Sequence, residues 1–184
     1  MSTNVRAARP FVPVRERGTI LIIVLLFLTV LMLMATTAVT TGVTEEKLAR
    51  ASRDYNVAFQ AAEAALRDAE NDLLGNGSRN PVIVRQTGFD AACPNALCLA
   101  VAPPGTQVWE VAANWTGTTS ATYGQYTFAQ ALPTTGSGSV SQQPRYILEH
   151  IAASGTQDIY RITARGWGPT ANGSTVTLQK EVLR

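Results

Sequence analysis

The sequence predicts an α+β fold: one long N-terminal helix, its first half transmembrane, packed on a small antiparallel β-sheet head. Three observations predict it. Ile20 to Thr41 holds no charged residue. Thr44 to Leu74 has helical periodicity and no proline. Residues 145–184 alternate apolar and polar side chains in three runs separated by turn residues.

The uncharged segment, as a helix, is roughly 33 Å long at about 1.5 Å per residue, close to the ~30 Å of a bilayer core. Before it, residues 1–18 hold Arg6, Arg9, Arg15 and Arg17 against one acid, Glu16, with Pro10 and Pro13 discouraging helix. These 18 residues therefore carry +3 of a net +2, and the remaining chain, with 11 bases and 12 acids, is −1. Basic residues directly before an apolar span keep the N-terminus in the cytoplasm and send the rest across. The same asymmetry leaves no basic nucleic-acid surface after residue 18.

Beyond Gly42 the pattern turns amphipathic. Leu48, Ala51, Tyr55, Ala58, Ala62, Ala65 and Ala69 recur at spacings of three and four, a single apolar packing stripe. Ala, Glu, Arg and Leu are strong helix formers. Glu46–Arg50, Arg50–Asp54 and Glu63–Arg67 are opposite charges at i, i+4 on the outer face. Gly75-Asn76-Gly77 supplies the left-handed residues that end helices. The helix is expected from about residue 19 to about 74.

Residues 78–144 are rich in Gly, Pro, Ser, Thr and Asn and read as loops, with short strands at Pro81–Arg85, Gln107–Ala112 and Tyr123–Ala129. Arg145–Ile151, Asp158–Trp167 and Ser174–Leu183 read as an antiparallel meander whose last hairpin turns at Asn172-Gly173. The domain organisation is thus 1–18, a cytoplasmic leader; 19–41, the transmembrane half of the helix; 42–75, its amphipathic half; 76–144, a variable region; and 145–184, the meander.

Cys93 and Cys98 in CPNALC lie in the exported part of the chain, which favours a structural disulfide over free thiols or a metal site. Closing so short a loop is worth about 2 kcal/mol. His150 is the chain's one histidine and follows Glu149 on a strand, so the two side chains point to opposite faces. Ser154-Gly155 lacks a nucleophile-elbow context. No phosphate loop or dinucleotide fingerprint is present. No catalytic residue, cofactor or metal is expected. Glu45 and Glu46 read as a solvated collar outside the membrane. Trp109, Trp115 and Trp167 read as packing of the head, with a ligand surface as the alternative. Asn76, Asn114 and Asn172 fit the N-glycosylation pattern, which matters in a eukaryotic secretory pathway alone.

Arg17-Gly18-Thr19, followed at once by the apolar helix, resembles a type III prepilin leader. RERG before the helix, TTGVTEEKLARASRDYNVAFQAAEAALRDAE after it, PRYILE at 144–149, YRITARGWG at 160–168 and the short CxxxxC loop are similar to the recurring blocks of the minor pilin PilX family. The resemblance covers both ends of the chain, about two thirds of it. It implies a type IV pilin-like fold and no enzymatic activity. It further implies cleavage by a prepilin peptidase between Gly18 and Thr19, N-methylation of Thr19, and residence in the bacterial inner membrane before incorporation into a pilus. The implied partners are other minor pilins, the major pilin, the peptidase, inner-membrane lipid before assembly, and a tip adhesin as a further candidate. Two positions depart from most pilins. The mature chain would begin with Thr19 in place of Phe, and its fifth residue is Ile23 in place of the Glu that neutralises a neighbouring subunit's N-terminal amine. PilX proteins and minor pseudopilin K of type II secretion are similar in lacking that Glu, which implies a place at or near the tip, in the complex that primes assembly. The alternatives are a type II secretion minor pseudopilin, a secreted protein cut near Ala35–Ala38, and a membrane-anchored periplasmic binding protein that uses the tryptophans.

Overall fold

The structure, a computed structural model, describes residues 18–79, Ile83, 87–154 and 157–184, with the side chains of 37–41 and 152–154 left out. Residues 1–17 of the expected leader, all of the expected strand Pro81–Arg85 except Ile83, and Gly155 lie outside the described residues. The chain divides into two compact units, Met1–Lys47 and Leu48–Arg184.

One helix, α1, spans Thr19–Asn71 and contributes to both units. In the first unit its apolar side chains are exposed from Ile20 to Met34, and Thr19–Thr36 is apolar and long enough to cross a membrane. Two threonines there satisfy their hydroxyls internally: Thr29 Oγ1 donates to the Leu26 carbonyl at 2.8 Å and Thr36 Oγ1 to that of Leu33 at 2.9 Å. α1 ends three residues before the expected Leu74. A π-helical turn, Asp72–Asn76, follows it, and Gly75 takes the left-handed conformation (φ 95°) that stops the helix.

In the second unit, β1 (Leu97–Leu99), β2 (Ala121–Thr122), β3 (Arg145–Ser154), β4 (Gln157–Trp167) and β5 (Thr175–Leu183) form one sheet. The meander β3–β4–β5 is antiparallel, at the predicted places. The sheet as a whole is mixed, which corrects the purely antiparallel expectation: β1 pairs with β3 in parallel, Leu97 opposite Leu148, while β2 pairs antiparallel farther along the same edge. A strand of three residues inside a disulfide loop gives no alternation to read. Two other expected strands are not strands. Gln107–Ala112 falls in 3-10 turns at Val108–Glu110 and Ala112–Trp115, because Gln107 and Glu110 form a capping box. Tyr123–Ala129 folds back at Gly124 (φ 75°), where a Cβ would stand 2.2 Å from the Ala129 carbonyl oxygen.

One sheet face covers α1. Ala65, Ala69 and Leu73 pack against Tyr146, Leu148, Tyr160, Ile162 and Ala164, and Ala58 and Ala62 against Val176 and Leu178. The opposite face carries Ile147 under Trp115, Val108 and the disulfide.

Candidate functional site

Gly18 is exposed, and a Cβ placed there would meet nothing within 4 Å; α1 begins at the next residue, Thr19. The two residues expected to flank the cut, Gly18 and Thr19, are thus both exposed.

The stripe divides into two parts. Ala58, Ala62, Ala65 and Ala69 are fully buried under the sheet, whereas Leu48 (66% exposed), Ala51 and Tyr55 (53%) face outward. Alanine on the covered part has a steric reason. Gly166 of β4 comes so near that a Cβ would lie 2.3 Å from both the Ala58 carbonyl oxygen and the Ala62 amide nitrogen. Helix and sheet touch there through their main chains.

Three carboxylates on α1 and the turn after it bind the loops of the head. Asp54 accepts hydrogen bonds from the Thr170 amide (3.3 Å), the Thr170 hydroxyl (3.0 Å) and the Ser174 amide (2.6 Å). Burial pushes its carboxyl up, but the hydrogen bonds from Ser174 and Thr170 outweigh this and hold it below the usual carboxylate range. Asp68 accepts from the Gly124 amide at 2.8 Å and from the Thr127 hydroxyl. Asp72 accepts from Arg79 Nε (2.8 Å) and the Tyr146 hydroxyl (2.8 Å), all of them buried. This corrects two expectations. Asp54 is not an outer-face partner of Arg50 but buried beneath the β4–β5 connection. That connection is no two-residue turn at Asn172-Gly173. It spans 168–174, because the carboxylate of Asp54 organises it from beneath, and Gly168 and Gly173 admit it: a Cβ would stand 2.6 and 2.1 Å from its oxygens. The signal was present in the sequence: Asp54, Asp68 and Asp72 sit three or four residues from stripe alanines, on the side of the helix that is buried. Glu63–Arg67 forms at 2.5 Å, and Lys180 of β5 pairs with Glu70 at 2.5 Å.

Cys93 and Cys98 are joined in a disulfide. Trp115 is buried, donates from Nε1 to the Trp109 carbonyl (2.9 Å) and lies 4.2 Å beneath the Arg165 guanidinium. Trp109 and Trp167 pack partly buried against the same cluster. The three rings thus belong to the layer over the outer sheet face. His150 Nε2 lies 3.1 Å from Asp158 and the ring packs at a tilt against Phe89 and Tyr160. Glu149 points to the other face, fully buried, where desolvation pushes its carboxyl up and Arg161 opposes the shift. Asn114 uses its amide internally, donating to the Val108 carbonyl at 2.7 Å, while Asn76 and Asn172 are exposed, as are Glu45 and Glu46. Among the described residues no group of three His, Cys, Asp or Glu is arranged to hold a metal.

The arrangement is therefore one for packing: an exposed apolar helix and a head riveted to α1 by alanine contacts and buried carboxylates. Comparison with known proteins agrees. Residues 17–67 match the family model described as PilX N-terminal, and residues 93–184 match that described as Type IV pilus assembly protein PilX C-term. No curated protein and no solved structure matches the chain. With half of the chain matched by the second model alone, and most of its helix by the first, the protein belongs to the PilX family of type IV pilus assembly proteins.

Proposed function

We propose that this minor pilin acts at or near the pilus tip, in the complex that primes assembly. The observation that carries the reading is Ile23, the fifth residue after Gly18. A buried subunit in a filament shaft would need a carboxylate there to neutralise the amine of its neighbour, and an unpaired charge in an apolar bundle is costly. A subunit without that carboxylate fits where one neighbour is missing. In this reading residues 1–18 are a leader removed by the prepilin peptidase, and Thr19 becomes the methylated N-terminus. Residues 19–41 leave the lipid for a bundle of like helices, which replaces lipid contacts with helix contacts at little cost. Residues 42–75 and 145–184, with 76–144 between them, form the periplasmic part that later reaches the cell surface. Leu48, Ala51 and Tyr55, which the sheet leaves uncovered, continue the bundle-facing stripe.

Intact mass of the protein from purified pili tests the cut: a chain beginning at Thr19 is expected, and one retaining Arg6 to Arg17 would refute it. Gold labelling of sheared pili tests the place. Label at one end is expected, with spread along the shaft in an Ile23→Glu variant; wild-type label along the shaft would overturn the tip assignment.

A further inference from the structure

β5 is the last strand of the sheet. Among the described residues it pairs with β4 alone, in unbroken register from Trp167–Thr175 to Ile159–Leu183. Its other edge is a nine-residue row of main-chain groups with no strand from the described residues beside it. Natural sheets blunt such an edge with proline, a bulge or outward lysines. The sequence TVTLQKEVL has no proline or glycine, and its lysine, Lys180, is drawn onto α1 by Glu70 at 2.5 Å.

The face of the sheet turned away from α1 carries a row of charges that stops at this edge. Glu149 of β3, Arg161 of β4 and Glu181 of β5 stand directly opposite one another across the ladders. Arg161 lies between the two acids, 4.0 Å from Glu149 Oε2 and 3.6 Å from Glu181 Oε1. Both distances exceed a good hydrogen bond. Neither carboxylate oxygen of the fully buried Glu149 has a hydrogen-bond partner. One guanidinium is thus shared between two carboxylates, and its Nη1 also donates to Gln107 Oε1 at 3.5 Å. The row reads negative, positive, negative, and its next place, beyond β5, calls for a positive charge.

We propose that the free edge of β5 accepts an additional strand from another polypeptide, and that this strand places a Lys or Arg beside Glu181. Main-chain hydrogen bonds supply the affinity of such strand addition, and side chains at alternate positions supply its specificity. A base beside Glu181 takes over that carboxylate and frees Arg161 to close on Glu149. A groove of about 560 Å³ lies on this face of the sheet next to Glu181, lined among others by Trp109, Glu110, Arg161 and Gln179, so a base beside Glu181 has a second acid near it. A second copy of β5 does not complete the row. The β5 residues that share the face of Glu181 are Thr175, Thr177, Gln179 and Leu183, and none is basic. The inference is independent of where along the pilus the subunit sits.

The test uses the full chain in detergent micelles and two capped eight-residue peptides of alternating Thr and Val, one with a central Lys and one with a central Glu. Amide hydrogen exchange is read at residues 175–183 and affinity by titration. The Lys peptide should slow exchange along β5 and bind about tenfold more tightly than the Glu peptide, the difference between an attractive and a repulsive cross-strand pair. Glu181→Lys should reverse the preference; the Glu181 side chain is 61% exposed, so the fold tolerates the change. Absence of protection at β5, equal affinity for the two peptides, or a preference that survives Glu181→Lys would overturn the proposal. So would concentration-dependent protection of β5 without peptide, which would show a second copy on the edge.

Discussion

Gly166→Ala is the sharpest probe of how the head is held on α1. The added methyl would lie 2.3 Å from the Ala58 carbonyl oxygen and the Ala62 amide nitrogen, and 2.9 Å from the carbonyl carbon of Ala61. Ordinary contact begins near 3.4 Å, so helix and strand must part by about 1.1 Å. The atoms met are main chain, so no side-chain rotamer can absorb the shift. Both elements are held close by: Gly166 pairs with Val176 one place before the Trp167–Thr175 end of the β4–β5 ladder, and Asp54 fixes α1 to the following loop four residues away from Ala58. Overpacking of a tight core costs up to about 3 kcal/mol, and the loss here should reach that figure. For a chain of this size it lowers Tm by roughly 10 °C. The assay is thermal unfolding of the detergent-solubilised chain followed by circular dichroism, with Gly117→Ala, where a Cβ meets nothing within 4 Å, as the control. The control should stay within about 0.5 kcal/mol of wild type. Ala62→Gly added to Gly166→Ala should not rescue, since it removes no clashing atom. A neutral Gly166→Ala, or a rescue by Ala62→Gly, would refute main-chain contact between helix and sheet.

Asp54→Asn should destabilise the head by about 2 kcal/mol, since a neutral amide accepts the three hydrogen bonds of the 168–174 loop less well. The carboxyl of Asp54 is held below its ordinary 3.8, so its contribution is present above that pH and lost as the pH falls through the lower folded value; denaturant unfolding between pH 2 and 6 should show an acid loss that Asp54→Asn diminishes. Glu149 has the opposite sign: burial raises its carboxyl above the ordinary 4.5, so its protonated form favours folding and that stability is lost as the pH rises from 4.5 through the folded value. Glu149→Gln should flatten this alkaline-side loss in the same unfolding series, and a variant with an unchanged pH profile would remove Glu149 from the account. Replacing both Cys93 and Cys98 with Ser should cost about 2 kcal/mol and speed amide exchange at Leu97–Leu99, where β1 sits inside the loop; wild-type exchange there would show that pairing with β3 alone holds β1.

Much of the fold could be read locally, because its signals are periodic. A 3.6-residue repeat of alanines marks the second half of α1, an uncharged run marks the first, and period-two alternation marks β3, β4 and β5 within a few residues of their observed ends. The left-handed glycine that stops the helix and the pairing of two cysteines five positions apart are likewise short-range features. What lies between 78 and 144 was not legible in this way. Whether Gln107–Ala112 extends or coils depends on one capping box, and a three-residue strand such as β1 exists because β3 is there to receive it. The length of stripe that is covered, from Ala58 but not from Tyr55, was decided by where the 168–174 loop reaches α1. The roles of Asp54, Asp68 and Asp72 were decided in the same way. Spacing from the stripe alanines places these carboxylates on the buried side of α1, but it does not say which loop each one meets, and their burial becomes favourable only when donors from residues more than 50 positions away converge on them. Periodicity thus tells which side of an element is apolar, while the partner that covers it, and the polar groups that partner brings, are settled by long-range packing alone.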